Sequence, residues 1–229
     1  MKIAVIGSGS WGTSLALIAH RAGHRVNIIS RNQAVINEIS NSHTNQKYLP
    51  EISLPIDLVA TSTNEINADI LLLVVPVQEV RAICKKLLLS KNTIIVICSK
   101  GIEQESAKLM SEVVEEILPN NPIAILSGPN FALPIAQNLP AITSIAARDI
   151  NLAKKLAEAL ASSNFRIYPN DDIIGTQIFA AAKNVLAIAT GIVMGKELGE
   201  NAKAAIFSRG IYEINALNSA KGGKAETLL

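Results

Sequence analysis

The chain has 229 residues, a net charge of +2 and a hydrophobic fraction of 49%, with aromatic residues at only 3%. So small a charge argues against a nucleic-acid-binding surface, and a core of Ile, Leu, Val and Ala is typical of parallel sheets covered by helices. Cys84 and Cys98 follow neither a disulfide framework nor a metal-ligand spacing. We therefore expect no metal, and free thiols in a reducing, cytoplasmic compartment. The apolar N-terminal stretch ends at Gly7, which makes it too short for a signal peptide.

The N-terminal segment combines a buried strand, a glycine-rich turn and a helix. The apolar run 3–6 leads into Gly7-Ser-Gly-Ser-Trp-Gly12, and helical periodicity follows over residues 13–22. In such a turn the first glycine (Gly7) permits the tight bend, the second (Gly9) lets the backbone approach a phosphate, and the third (Gly12) lets helix and strand pack closely. The helix N-terminus adds free N–H groups and a partial positive charge. The segment predicts a pyrophosphate site for a dinucleotide, with an ordinary glycine loop as the alternative.

The residues after the second strand predict which dinucleotide binds. Strand 24–29 is followed by Ser30-Arg31-Asn32, and no Asp or Glu lies between Val26 and Val35. A carboxylate there would accept hydrogen bonds from the ribose hydroxyls, whereas a guanidinium suits a 2′-phosphate. Arg31 therefore favours NADP(H) over NAD(H). The alternative is that Arg31 is a solvated surface charge.

Apolar runs and amphipathic stretches alternate through residue 168, which predicts an α/β fold with a doubly wound, Rossmann-like parallel sheet. The remaining predicted strands are 58–60, 70–75, 93–98, 123–126, 142–146 and 165–168, and the predicted helices are 33–39, 78–89, 106–118, a short one after Pro129, and 152–162. Two long helices, 173–195 and 201–220, follow without a further strand. We therefore predict a dinucleotide-binding domain over residues 1–175 and the start of an all-helical domain over residues 176–229.

Lys183 is the candidate for acid–base catalysis. Its helical neighbours Phe179, Ala180 and Ala187 offer no counter-charge, and burial among them would lower the pKa of the amine toward a range useful for proton transfer. The alternative is a lysine whose stem packs and whose amine reaches solvent. A lysine at the centre of a membrane span would cost about 2.5–3.5 kcal/mol, so we predict a buried helix of a globular protein and no integral membrane segment.

Three further segments lie at or just after the ends of predicted strands, where ligands bind in doubly wound sheets. Val74-Val75-Pro76 can turn the chain under a nicotinamide, Ser99-Lys-Gly-Ile-Glu103 puts a cation beside a glycine, and Ser127-Gly-Pro-Asn-Phe-Ala132 precedes a helix start. The residues alone thus predict a nicotinamide cofactor and a small ketone or alcohol as substrate.

Taken together, these segments resemble the bacterial NAD(P)-dependent glycerol-3-phosphate dehydrogenase family. The motifs that carry the resemblance are Gly7-Ser-Gly-Ser-Trp-Gly-Thr13, Tyr48-Leu-Pro50, Ser99-Lys-Gly-Ile-Glu103, Ser127-Gly-Pro-Asn-Phe-Ala132, Lys183-Asn-Val-Leu-Ala-Ile188, and Asn201-Ala-Lys-Ala-Ala205 with Arg209-Gly210. The resemblance implies reversible hydride transfer between a reduced nicotinamide and dihydroxyacetone phosphate, giving sn-glycerol 3-phosphate for phospholipid synthesis. It also implies a small phosphorylated three-carbon substrate and, as an option, a homodimer.

The resemblance also implies roles for individual residues. Cofactor contacts are implied for Ser10, Trp11, Arg31, Lys100 and Ala132. Substrate contacts are implied for Lys100, Gly128, Asn130, Lys183 and Asn184, with Lys183 as the proton donor and acceptor.

The chain departs from the family's pattern at two places. Asn130 stands where the family usually has serine, and beyond residue 229 the family continues with an aspartate beside the catalytic lysine and an arginine that binds the substrate phosphate. Without these groups we expect the 229-residue chain to bind NADPH weakly and to turn over poorly. We also expect the exposed apolar faces of its two last helices to favour aggregation or pairing. The alternative functions are a truncated, non-catalytic nucleotide-binding remnant and a related reductase of another hydroxy acid or ketone.

Overall fold

The computed structural model describes residues 1–228. Its strands are β1 (Lys2–Ile6), β2 (Arg25–Ile29), β3 (Val59–Thr61), β4 (Glu65–Ile66), β5 (Ile70–Leu73), β6 (Leu88–Leu89), β7 (Ile94–Ile97), β8 (Ile123–Ser127), β9 (Ala141–Ala146) and β10 (Phe165–Asn170). Its α-helices are α1 (Ser10–Arg21), α2 (Gln33–Asn37), α3 (Val80–Cys84), α4 (Met110–Ile117), α5 (Ala132–Ala136), α6 (Ile150–Leu160), α7 (Ile173–Gly195) and α8 (Gly199–Ala220).

The central sheet has eight strands in the spatial order β10-β9-β8-β7-β5-β1-β2-β3. Its pairs are parallel except β8 with β9, which are antiparallel. The predicted doubly wound, Rossmann-like architecture is confirmed, with one antiparallel pair within a mostly parallel sheet. Because β1 lies between β2 and β5, the strand order reverses there, and the crevice beyond the carboxyl ends of β1 and β5 is where such sheets bind ligands.

The core lies on both faces of the sheet because the central strands are apolar at consecutive positions. The four residues of β5 are buried, and alternate residues of β1 belong to opposite clusters. Ile3 and Val5 belong to the cluster that includes residues of α1, and Ala4 and Ile6 belong to the cluster that includes residues of α3 and α4. This packing leaves the turn after β1 at the mouth of the crevice.

The predicted helix 78–89 is wrong in its second half. A 3₁₀ turn (Val77–Glu79) leads into α3, which ends at Cys84, and β6 then pairs with β4 in a two-stranded parallel sheet. The Leu88 N–H donates to the Asn64 carbonyl oxygen at 2.8 Å. The apolar pattern of residues 78–89 does not specify where the helix ends, and the pairing of β6 with the distant β4 decides it.

The predicted helix 106–118 begins four residues late, at Met110. Ala107 has a left-handed backbone conformation (φ 53°), which interrupts a right-handed helix. The Ser106 hydroxyl donates to the Glu103 carboxylate, and Glu112 Oε2 accepts from the Leu109 N–H at 2.6 Å. Side chains thus satisfy the backbone and hydroxyl groups just before the helix.

An ion cluster fixes the loop that follows β7. The Arg81 guanidinium donates to Glu103 Oε1 at 2.8 Å and to Glu116 Oε1 at 2.8 Å, and Lys108 Nζ donates to Glu116 Oε2 at 2.6 Å. Glu103 is buried, so its carboxylate depends on this partner. The cluster joins α3, α4 and the segment that carries Lys100.

We expect the contribution of Glu116 to stability to disappear in acid. Arg81, and then Lys108, lower the pKa of the Glu116 carboxyl from 4.5 to about 2. A lowered folded-state pKa stabilises above the unfolded value, so the contribution is complete above pH 4.5 and is lost as the pH falls toward about 2. Urea unfolding from pH 7 to pH 2 should show that Glu116→Gln is less stable than the wild type at neutral pH and equal to it near pH 2. Glu158→Gln, on the exposed face of α6, is the control, and a pH-independent difference for Glu116→Gln would contradict the expectation.

Helix α7 is anchored at its N-terminal end. Asp172 accepts from the Gly175 N–H at 2.8 Å, and Gln177 accepts from the Ser111 N–H at 2.8 Å and donates to the Ser111 hydroxyl at 2.8 Å. These contacts set the direction in which α7 leaves the sheet. The division into residues 1–175 and 176–229 stays a prediction.

The expectation that α7 is a buried helix is wrong over most of its length. Only 17% of its most apolar stretch is buried, and large apolar side chains are exposed on α7 and α8: Val185, Ile188, Ile192, Met194, Ile206, Phe207, Tyr212 and Leu217. By length and composition alone α7 could cross a membrane, which is weak evidence because helices of water-soluble proteins pass the same test.

Candidate active site

The glycine turn after β1 has two glycines that the fold requires and one that it does not. Gly7 has φ 115°, and a Cβ there would lie 2.0 Å from the Val74 carbonyl oxygen, while a Cβ at Gly12 would lie 1.8 Å from the Gly7 carbonyl oxygen. Gly9 has an ordinary conformation (φ −71°) and a Cβ there would meet nothing within 4 Å. The open space at Gly9 beside the start of α1 fits a phosphate group approaching the backbone.

The loop containing Tyr48 holds this turn in place. The Ser10 hydroxyl donates to the Tyr48 carbonyl oxygen at 2.6 Å, and Asn45 Nδ2 donates to the Ser8 carbonyl oxygen at 2.9 Å and to Thr13 Oγ1 at 2.8 Å. Sequence reasoning missed Asn45, which is fully buried, because a single Asn in a polar loop carries no signal of burial. Gly9, the N-cap residue, supplies no side-chain acceptor, which leaves the first N–H groups of α1 for a ligand.

Arg31 lies just beyond β2, at the outer end of the crevice. Its side chain is 88% exposed, and Nη1 lies 3.6 Å from Glu79 Oε2. Nearby, the Ser8 and Ser30 hydroxyl oxygens are 2.8 Å apart. The position of Arg31 is the one expected for a group that reads the adenosine ribose.

A cavity of about 390 Å³ continues the crevice on the other side of the glycine turn. Its lining residues come from α1, from the ends of β5 and β7 and from the segment after β8: Ser10, Trp11, Val74, Val75, Cys98, Ser99, Lys100, Asn130, Phe131 and Ala132. Within residues 1–228 the buried Trp11 Nε1 and Asn130 Nδ2 have no hydrogen-bond partner. Buried donors are normally paired, so these two mark places where a ligand can supply acceptors.

Lys100 connects this cavity with a larger one of about 600 Å³. Lys100 Nζ donates to the Gly128 carbonyl oxygen at 3.1 Å and lies 5.9 Å from the centre of the Trp11 ring. Burial lowers the pKa of Lys100, and the charge of Lys183 lowers it further. The larger cavity is lined by Lys100, Gly128 and Lys183 together with residues of β10, α7 and α8.

The expectation that Lys183 is buried is wrong. Its side chain is exposed because nothing among residues 1–228 covers that face of α7. Its position on the larger cavity nevertheless places two cationic side chains around one space. Asn184 is also exposed and lies outside the lining of that cavity.

The structure therefore brings most of the predicted residues to one crevice. Gly7, Gly9, Ser10, Trp11, Gly12, Lys100, Asn130 and Ala132 surround the glycine turn and the smaller cavity. Sequence reasoning missed Thr143, which is buried with Oγ1 unpaired among the described residues. A Cβ at Gly128 would lie 2.8 Å from both Asn130 Nδ2 and Thr143 Oγ1. Glycine at this position therefore leaves both polar groups uncovered.

Two family models match the chain. The one for the N-terminus of NAD-dependent glycerol-3-phosphate dehydrogenase matches residues 2–153, and the one for its C-terminus matches residues 172–229. A curated relative from Paramagnetospirillum magneticum, named glycerol-3-phosphate dehydrogenase (NAD(P)+), is 46% identical over 100% of this chain and 84% of its own length. Another of the same name, from a Chelativorans species, is 42% identical over 99% of this chain and 71% of its own length.

Solved structures agree in fold. The crystal structure of glycerol-3-phosphate dehydrogenase from Coxiella burnetii superimposes with a TM-score of 0.92 at 38% identity, covering 99% of this chain and 71% of that one. A structure of the enzyme from Saccharomyces cerevisiae gives a TM-score of 0.87 at 29% identity, covering 99% of this chain and 73% of that one.

Proposed function

The chain belongs to the NAD-dependent glycerol-3-phosphate dehydrogenase family, and we propose on that basis that it interconverts dihydroxyacetone phosphate and sn-glycerol 3-phosphate. NADP(H), with NAD(H) as an option, is the hydride carrier. The observation that carries the proposal is the placement of Lys100 and Lys183 on one cavity that continues into the crevice of the glycine turn. A phosphorylated ketone needs both a proton source and positive charge, and two lysines supply both.

The dinucleotide is held by backbone and by donors of the chain. Gly9 and the free N–H groups of α1 would hold the pyrophosphate, and Gly7 and Gly12 would keep the turn in the shape that allows this. Ser10, Trp11 and Ala132 line the smaller cavity together with Lys100, and they would contact the cofactor there. Arg31 would contact the adenosine ribose and would favour a 2′-phosphate there.

When bound, the dinucleotide supplies the hydride in reduction and accepts it in oxidation. Reduction of the ketone builds negative charge on its oxygen, and Lys183 stabilises that charge and donates the proton. In the oxidative direction the same amine takes the proton from the alcohol. Lys100, held on the Gly128 carbonyl oxygen, adds positive charge beside the substrate, and Asn130 orients it by hydrogen bonding. Asn184, the next residue of α7, would contribute a further substrate contact.

The wider role follows from the product. Glycerol 3-phosphate is a precursor for phospholipids, and we place the reaction in the cytoplasm. Two buried free thiols support a reducing compartment, and burial raises the pKa of Cys84 to about 11, which keeps that thiol unreactive.

A homodimer is proposed because α7 and α8 expose apolar side chains.

We expect a strong preference for the phosphorylated ketone. The comparison is between kcat/KM with NADPH for dihydroxyacetone phosphate and for dihydroxyacetone. The phosphorylated ketone should be favoured by at least about a hundredfold, because two charge-assisted hydrogen bonds to its phosphate would contribute about 1.5–3 kcal/mol each. NADPH binding is measured separately by fluorescence. Equal kcat/KM values would point to a general ketone reductase, and binding without turnover would point to a non-catalytic nucleotide-binding protein.

A further inference from the structure

An ion pair spans the outer end of the crevice. Arg31 follows β2 and Glu79 ends the 3₁₀ turn after β5, and the two side chains meet at 3.6 Å between Nη1 and Oε2. Strand β1 lies between β2 and β5, and all three are parallel. The ion pair joins a residue after β2 to a residue after β5, so it passes over the carboxyl end of β1. That end leads directly into the glycine turn.

This pair does little for the stability of the fold. The side chains are 88% and 46% exposed, and exposed pairs contribute little to folding. Among residues 1–228, Glu79 is the acidic side chain within 4.0 Å of Arg31. Opening the Arg31–Glu79 ion pair therefore costs the fold little stability. The pair instead influences the affinity of a ligand that binds at Arg31.

A dinucleotide with a 2′-phosphate competes with Glu79 for the same guanidinium. A phosphate monoester carries about −1.5 to −2 charges at neutral pH. The Glu79 carboxylate therefore occupies the guanidinium that the phosphate would bind, and it also repels the phosphate by its own negative charge. A ribose with a free 2′-hydroxyl brings no such charge and meets neither penalty.

We propose that Glu79 is a specificity-determining residue that weakens the preference for 2′-phosphorylated dinucleotides and so lets the chain use NAD(H) beside NADP(H). The inference rests on the proposed function, because it requires the adenosine ribose to bind beside Arg31. It concerns the adenosine end of the cofactor and involves neither Lys100 nor Lys183.

The test is calorimetric binding of two fragments, 2′,5′-ADP and 5′-AMP, to the full chain and its variants. Glu79→Gln should raise the affinity for 2′,5′-ADP by about three- to tenfold and change that for 5′-AMP by less than about twofold. The gain should shrink in roughly 1 M salt and should be smaller when Arg31→Ala is also present, because only the repulsion between the carboxylate and the phosphate then remains. Glu105→Gln, an exposed carboxylate on the loop after β7, is the control and should change neither affinity.

The outcomes separate this inference from the proposed function. If both fragments bind the wild type and Glu79→Gln changes them equally or not at all, the role of Glu79 is overturned and the cofactor site stands. If neither fragment binds the folded wild type, both proposals fail. Thermal unfolding of each variant verifies that the fold is intact.

Discussion

Replacing Lys183 by methionine should lower kcat for dihydroxyacetone phosphate reduction by about 10²–10⁴-fold, the usual contribution of a positioned proton donor. The dissociation constant for NADPH should stay within about twofold of the wild-type value, because the crevice around Gly9 and Trp11 lies on the other side of Lys100. Methionine keeps an unbranched stem without the charge, and Lys183 is exposed. The substitution should therefore leave the fold unchanged.

The matched control is Lys154→Met on α6, another exposed lysine on a helix, which should leave both constants unchanged. A Lys183→Met protein that turns over within about twofold of the wild type would exclude proton transfer by this amine. A loss of NADPH binding in parallel with turnover would instead assign Lys183 to cofactor binding.

The sequence predicts the crevice well because its parts depend on local rules. A run of consecutive apolar residues followed by Gly7, Gly9 and Gly12 specifies a strand, a turn and a helix within a dozen positions, and the structure has β1 and α1 at these places. Lys100 and Ala132 follow strand ends, and parallel strands in one sheet bring their carboxyl ends to the same edge.

Features that depend on distant contacts could not be predicted in the same way. The end of α3 depends on the pairing of Leu88 with the segment after β3, and the start of α4 depends on side chains that satisfy the preceding loop. The exposure of Lys183 depends on what covers α7, which helical periodicity cannot reveal. Asn45 is similar, since its partners Ser8 and Thr13 lie more than 30 positions away.

Two glycine-to-alanine substitutions in the glycine turn should distinguish effects on fold stability from effects on cofactor binding. Gly12→Ala would put a Cβ 1.8 Å from the Gly7 carbonyl oxygen, where the backbone must shift. We expect a loss of about 1–3 kcal/mol in the free energy of unfolding, the usual cost of overpacking. Urea denaturation measures it, and unchanged stability would contradict the packing described for this turn.

Gly9→Ala should do the opposite. Its Cβ meets nothing within 4 Å and its φ of −71° suits alanine, so the free energy of unfolding should stay within about 1 kcal/mol of the wild type. The added methyl group would occupy the space where the backbone must approach the pyrophosphate, and we expect the affinity for NADPH to fall at least about tenfold, since a displaced phosphate loses charge-assisted hydrogen bonds of about 1.5–3 kcal/mol. Gly191→Ala on α7, where a Cβ also meets nothing within 4 Å, is the control for a tolerated glycine away from the crevice. A Gly9→Ala protein that binds NADPH as tightly as the wild type would place the dinucleotide elsewhere, because an open position that tolerates a methyl group without consequence cannot be the one the phosphates contact.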